Sequence, residues 1–217
     1  MCFSPEASFF AAGLTASIGL VAMARVRHPR ELPLAATPLL FAAQQAIEGF
    51  LWLTLPGAPH GAAASGLTLA YLVFALAVWP TFAPLAALTL ETDAKRRRLM
   101  SFWLAVGLAT SAYFLRGLLA HPTVAVIRDD HIVYFGGRLH VTVMSVAYLA
   151  AVTAPLLLSS RRTVVAFGAI VLVGCPVAYA FYLEAFQSVW CFFAAAASAV
   201  ILCHFEWARW RARIVAA

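Results

Sequence analysis

TVVAFGAIVLVGCPVAYAFYL, residues 163–183, is a continuous apolar run without a single charged side chain. Because a helix rises about 1.5 Å per residue, about 20 such residues cross a hydrocarbon core of about 30 Å. Hydrophobic residues make up 64% of the chain and charged ones 11%, which excludes an ordinary water-soluble domain. We therefore predict an all-α, polytopic membrane protein in which residues 1–217 form one domain of seven transmembrane helices, at 7–24, 33–55, 65–88, 99–119, 141–158, 163–183 and 188–207.

The basic residues predict the orientation of these spans. Of the fifteen Lys and Arg residues, twelve fall in four clusters on one side if seven spans alternate: Arg25, Arg27, Arg30, Lys95, Arg96, Arg97, Arg98, Arg161, Arg162, Arg209, Arg211 and Arg213. Basic loops stay in the cytoplasm, so we expect the N-terminus outside and the C-terminus inside. The net charge of +6 is therefore read as an orientation signal that also attracts anionic lipid, and nucleic-acid binding is not expected.

The second span carries the most informative polar residues. Gln44, Glu48 and Trp52 are spaced by four and share one helical face, and Gln45 lies beside them. A carboxylate at membrane depth is costly, so Glu48 requires a partner or a cavity. Arg116 in the fourth span lies at a similar depth, which predicts an ion pair with Glu48 if the two spans are neighbours.

Other polar and aromatic residues fall at the same depth, in the outer half of the predicted bundle. In contrast, the inner half is almost entirely Ala, Leu, Val and Phe. This asymmetry predicts a pocket open to the outside and closed below. Interfacial anchoring and simple bridging between helices are the alternative roles for these residues. The further candidates for the cavity are Tyr113, His140, Tyr148, Tyr179, Tyr182, Glu184 and Gln187.

The cysteine and histidine residues give fewer predictions. Cys2 and Cys191 both lie near the outer surface, where an oxidising compartment would allow a disulfide, and the sequence leaves that pairing open. No His or Cys pair has the compact spacing of metal ligands, so no metal site is predicted. There is no cofactor fingerprint. The single lysine, Lys95, lies in a predicted cytoplasmic loop, which excludes a retinal Schiff base in the last span.

Several short motifs resemble those of a family of bacterial integral membrane proteins of unknown function. The chain opens with Met1-Cys2-Phe3-Ser4 and Ala7-Ser8-Phe9, and these are followed by Arg30-Glu31-Leu32-Pro33, Pro38-Leu39-Leu40-Phe41, Gln44-Gln45-x-x-Glu48-Gly49, Trp52 and Ser188-x-Trp190-Cys191-Phe192. The resemblance covers the first quarter of the chain and part of the last span. The resemblance implies that the protein lies in the inner membrane of a bacterium, but it implies no particular reaction and no functional site.

Transport or conduction of a small solute or ion, linked to protonation of Glu48, is the function that these features favour. An intramembrane enzyme acting on a lipid or quinone is the first alternative, and a ligand-sensing or structural subunit is the second. The sequence does not decide whether the protein is an enzyme, although a transporter is favoured. The expected partners are membrane lipids, the solute or ion and, as an open question, further copies of the chain.

Overall fold

The computed structural model describes the backbone of residues 4–136 and 142–216, and the side chains of 4–136 and 143–207. Within these ranges the fold is helical apart from one short hairpin. The helices are α1 Pro5–Met23, α2 Leu32–Thr54, α3 Ala62–Val73, α4 Trp79–Leu90, α5 Ala94–Ala120, α6 Thr142–Leu157, α7 Arg162–Phe181, α8 Phe186–Ala197 and α9 Ala199–Ala216. Two pairs are continuous, α3 with α4 and α8 with α9, so the described residues form seven helical rods.

Each of the seven predicted spans coincides with one rod, and five rods are long and apolar enough to cross a membrane. These five are Pro5–Met23, Ala62–Leu90, Ala94–Ala120, Arg162–Phe181 and Phe186–Trp207. The helix α2 is long enough, at 23 residues, but carries Gln44, Gln45 and Glu48. The helix α6 is apolar but shorter, at 16 residues.

Close contact at two glycines fixes how α1 packs against α2. A Cβ added at Gly19 would lie 2.6 Å from the Leu39 side chain, and one added at Gly49 would lie 2.8 Å from the ring of Phe9. The early part of each helix therefore meets the late part of the other. This antiparallel contact brings the start of α1 beside the polar half of α2.

A π-helical turn, Phe74–Val78, joins α3 to α4 and redirects backbone carbonyls to neighbouring helices. The hydroxyl of Tyr148 in α6 donates to the Ala75 carbonyl at 2.6 Å, and that of Ser111 in α5 donates to the Ala77 carbonyl at 2.6 Å. Such bulges release carbonyls from the regular helical ladder. Here the carbonyls connect three rods through buried hydrogen bonds.

The segment between α5 and α6 contains a β-hairpin, which the sequence analysis did not predict. Strand β1, Val124–Arg128, pairs antiparallel with β2, His131–Phe135. Asp129 and Asp130 form the turn with φ of 47° and 56°, the left-handed values of a type I′ turn. Ala125 and Ile132 of the hairpin are buried against the bundle.

The bundle thus has two distinct ends. One end, which we call the hairpin end, contains the β-hairpin, the start of α1, the end of α2 and the start of α8. The opposite end, which we call the arginine end, contains the arginine-bearing loops after α1, α4 and α6 and the described part of α9. Contacts between these segments, such as Arg25 Nε to Glu206 Oε1 at 2.8 Å, confirm that they lie together.

Candidate functional site

Glu48 lies in the interior of the bundle, and its side chain is fully buried. The hydroxyl of Ser188, in the first turn of α8, donates a hydrogen bond to Glu48 Oε1. Ser188 is itself fully buried. The carboxyl group therefore faces a neighbouring helix rather than lipid, as the sequence required of an acid at this depth.

One turn before Glu48, Gln44 connects α2 to α4. The indole Nε1 of Trp79 donates to Gln44 Oε1 at 2.8 Å, and the Trp79 ring stacks on Phe41 with centroids 4.0 Å apart. Trp79 is the first residue after the π-helical turn. Cys191 of α8 lines the same cavity as Trp79.

Several buried polar atoms of α1 and α2 have no hydrogen-bond partner among the described residues. They are Ser8 Oγ, Gln44 Nε2, Gln45 Nε2, Gln45 Oε1 and Trp52 Nε1. A buried polar group without a partner costs about 1–3 kcal/mol, and natural proteins contain few of them. Five such atoms on the early part of α1 and the polar face of α2 therefore mark this region as the candidate site. We name Ser8, Gln44, Gln45, Glu48, Trp52 and Ser188 the polar cluster.

The hairpin covers the polar cluster from its own end of the bundle. Tyr71 of α3 is fully buried and donates from its hydroxyl to the Gln187 carbonyl at 3.4 Å. The ring of Tyr134 in β2 stacks on Tyr71, with centroids 5.0 Å apart and planes 5° from parallel. Ile132 packs in the same layer as Trp52. These contacts close the side on which the sequence predicted an open pocket.

A narrow cavity of about 30 Å³ adjoins the polar cluster on the side of the arginine end. It lies between α2, α4, α6, α7 and α8, and it begins at Trp79 and Cys191. Its wall is mainly apolar and aromatic, and includes Phe41, Tyr148 and Trp190. Since one water needs about 10–15 Å³ of such space, the cavity has room for about two waters.

The predicted site residues divide into two groups. The cluster includes Gln44, Gln45, Glu48 and Trp52, while Cys191 and Tyr148 line the adjoining cavity. Gln187 approaches the site through its backbone carbonyl only, and its side chain is half-buried.

The remaining predicted residues lie away from the cluster. Arg116 is exposed, so the predicted ion pair with Glu48 does not form; Tyr113 is also exposed. Tyr179 is 60% exposed. Position along a span does not predict the direction in which a residue faces, because that depends on helix order.

Two predicted residues contact the hairpin instead. Glu184 forms an exposed ion pair with Arg128 at 3.2 Å, and the Tyr182 ring lies 5.4 Å from that of His131. His140 and Cys2 lie outside the described residues, so the predicted disulfide of Cys2 with Cys191 does as well.

Sequence reasoning did not assign a role to Ser8, Ser188, Tyr71 or Trp79. Ser8 and Ser188 occur in the short motifs quoted above, which is the one signal that could have singled them out. For metals, the described residues contain no group of three or more His, Cys, Asp or Glu side chains that could hold an ion. The cluster therefore offers amide, hydroxyl and indole groups around a single carboxyl.

Comparison with known proteins leads to a family but not to a function. No curated protein and no solved structure is significantly similar to the chain. The sequence model of DUF6629, a family of unknown function, matches residues 1–217, far beyond the stretches in which the short motifs occur. The chain therefore belongs to family DUF6629.

Proposed function

We propose that the chain is a seven-span protein of a bacterial inner membrane with its N-terminus outside. The five long apolar rods support insertion in a membrane. The buried polar face of α2 and the apolar character of α6 support counting these two helices as spans. Concentration of Lys and Arg at the arginine end supports a cytoplasmic position for that end.

Within this bundle we propose that the polar cluster binds a small solute or ion during transport. The observation that carries this proposal is the set of five buried polar atoms without partners, on Ser8, Gln44, Gln45 and Trp52. A ligand that supplies hydrogen bonds to such atoms binds favourably, because it removes the free-energy cost of leaving them buried without a partner. Glu48 adds a group that can take up or release a proton at the same place.

The composition of the cluster favours a neutral or cationic ligand over an anion. Its charged group is the Glu48 carboxyl, and it contains no Lys, Arg or His. The small size of the adjoining cavity favours a water-sized or similarly compact species over a lipid tail. Transport of a compact solute, an ion or a proton is therefore preferred to chemistry on a lipid or quinone.

Aromatic contacts lie on both sides of the cluster, as an alternating-access transporter would require of its gates. The stacked rings of Tyr71 and Tyr134 close the hairpin end. The stacked rings of Phe41 and Trp79 lie on the other side, at the start of the narrow cavity. Passage would require at least one of these two contacts to open.

Flux measurements in liposomes test the proposal directly. The full chain is reconstituted with a pH-sensitive dye inside, and proton uptake is followed alone and with candidate solutes outside. We expect flux above that of empty liposomes, and a loss of tenfold or more in Glu48→Gln. Glu184→Gln is the matched control, because its carboxylate is exposed and lies in the ion pair with Arg128. Equal flux in Glu48→Gln and Glu184→Gln would refute the role of Glu48.

A further inference from the structure

A second cavity, of about 260 Å³, lies at the arginine end, far from the polar cluster. It is formed by the loop after α1, the 3₁₀ turn Pro29–Glu31 and α9. Its polar lining consists of Arg25, Arg27, Glu31 and His204. It is slightly smaller than the pockets of about 300–1,000 Å³ that bind drug-sized ligands, so it suits a compact group.

Arg25 is held in a fixed direction at this cavity. Its Nε donates to Glu206 Oε1 at 2.8 Å, and about a third of the Arg25 side chain remains exposed. The two terminal nitrogens of the guanidinium make no hydrogen bond among the described residues. A guanidinium oriented in this way presents paired donors without further loss of side-chain entropy.

The carboxylate that lines the cavity is already occupied. Glu31 Oε2 accepts the backbone N–H groups of Arg27 at 2.8 Å and His28 at 3.2 Å. This capping interaction holds the 3₁₀ turn and leaves the Arg27 guanidinium without a hydrogen bond among the described residues. The negative charge at the lining therefore stabilises the backbone and does not pair with the Arg27 side chain.

The opposite wall adds a fixed imidazole and a further positive charge. His204 Nδ1 and Thr163 Oγ1 are 2.8 Å apart, which orients the ring. Arg161 lies just before α7, two residues from Thr163, and supplies this positive charge. Two guanidinium groups, those of Arg25 and Arg27, thus line the cavity together with one carboxylate, Glu31, which already accepts hydrogen bonds.

We infer that this cavity binds a phosphate group, carried by an anionic lipid or by a small soluble molecule. Guanidinium groups recognise phosphate oxygens through two parallel hydrogen bonds, and Arg25 and Arg27 have terminal donors available for this. The cavity lies just after the end of α1, beside His204 and Phe205 of α9, and a lipid headgroup would lie there if the arginine end faces the cytoplasmic leaflet. Both sources share the same chemistry of recognition.

Binding measurements on the purified full chain distinguish the two sources. In neutral detergent, native mass spectrometry compares retention of phosphatidylglycerol with that of phosphatidylcholine, and calorimetry measures binding of inorganic phosphate against chloride. We expect Arg27→Gln to weaken the preferred probe by about fivefold to tenfold, since one charge-assisted contact is lost. Arg30→Gln is the matched control, because Arg30 lies only three residues after Arg27, in the 3₁₀ turn, but does not line the cavity. Arg27→Lys keeps the charge and should recover part of the binding.

Each outcome decides the inference. Loss of phosphatidylglycerol retention in Arg27→Gln but not in Arg30→Gln identifies a lipid phosphate, and the same pattern for inorganic phosphate identifies a soluble ligand. The inference is overturned if neither probe exceeds its reference, or if the two variants change binding equally. Melting temperatures of both variants within about 2 °C of wild type ensure that folding is not the cause.

Discussion

Replacement of Glu91 by Gln should destabilise the arginine end, because this carboxylate connects two loops. Glu91 follows α4 and is only 3% exposed. Its Oε1 accepts the backbone N–H groups of Thr92 at 2.8 Å and Asp93 at 3.0 Å, and the Ser160 hydroxyl at 2.8 Å. Its Oε2 accepts the Ser160 N–H at 2.8 Å. The loop after α4 is thus joined to the loop after α6.

The size of the effect follows from the acidity of the group. Burial alone would raise the pKa of Glu91, but the hydrogen bonds from Asp93, Ser160 and Thr92 lower it from 4.5 to about 2. A pKa lowered by this amount corresponds to about 3 kcal/mol of stability. Because the folded pKa is the lower one, this contribution is complete above pH 4.5 and is lost as the pH falls toward 2. At pH 3 about 1.4 kcal/mol should remain.

Thermal unfolding of the full chain in detergent measures this contribution. At pH 7, Glu91→Gln should lower Tm by about 6–12 °C, since about 1 kcal/mol shifts a chain of this size by about 2–4 °C. The difference from wild type should shrink by about half at pH 3. Glu184→Gln, which removes an exposed carboxylate, should change Tm by about 1 °C or less. A Glu91→Gln melting curve that matches wild type at pH 7, or a difference that is constant with pH, would refute the reasoning.

Two further substitutions test the packing of the bundle and the turn of the hairpin. Gly107→Ala would put a Cβ 1.8 Å from the Pro80 carbonyl oxygen, so α4 and α5 must separate, at a cost of about 2–3 kcal/mol. Gly13→Ala is the control and should not lower Tm, because the space at its Cβ is open. Equal Tm values for the two variants would contradict the close contact at Gly107. The double substitution Asp129→Asn and Asp130→Gly suits the left-handed φ values of both positions and should stabilise the hairpin by about 0.5–1 kcal/mol. Amide exchange in the two strands should then be slower than in wild type. Faster exchange would count against the type I′ turn.

Helix positions were predictable from the sequence because each rod is an apolar run bounded by charged or loop residues. The predicted boundaries 33–55 and 163–183 lie within two residues of Leu32–Thr54 and Arg162–Phe181. In contrast, the hairpin was missed. Its strands read VAVIR and HIVYF around two aspartates, a β-branched pattern around a turn that could have indicated it.

The candidate site was predictable only on the helix that supplies most of its side chains. The spacing of Gln44 and Glu48 within α2 follows from helix geometry, so their shared face was evident. Their partners Ser188 and Trp79 belong to other rods, and contacts between rods depend on helix order and rotation. For the same reason the sequence did not show that Arg116, the predicted partner of Glu48, is exposed.

The π-helical turn Phe74–Val78 also makes the number of residues in that rod a determinant of the site. Tyr71 before the turn contacts Gln187, and Trp79 after it contacts Gln44. Removing one residue from the turn would rotate one of these side chains by about 100° relative to the other. Only one of the two contacts would then survive. A single inserted backbone unit, which contributes no side chain to the polar cluster, therefore sets the angular relation between the layer that covers Glu48 and the layer that supports it.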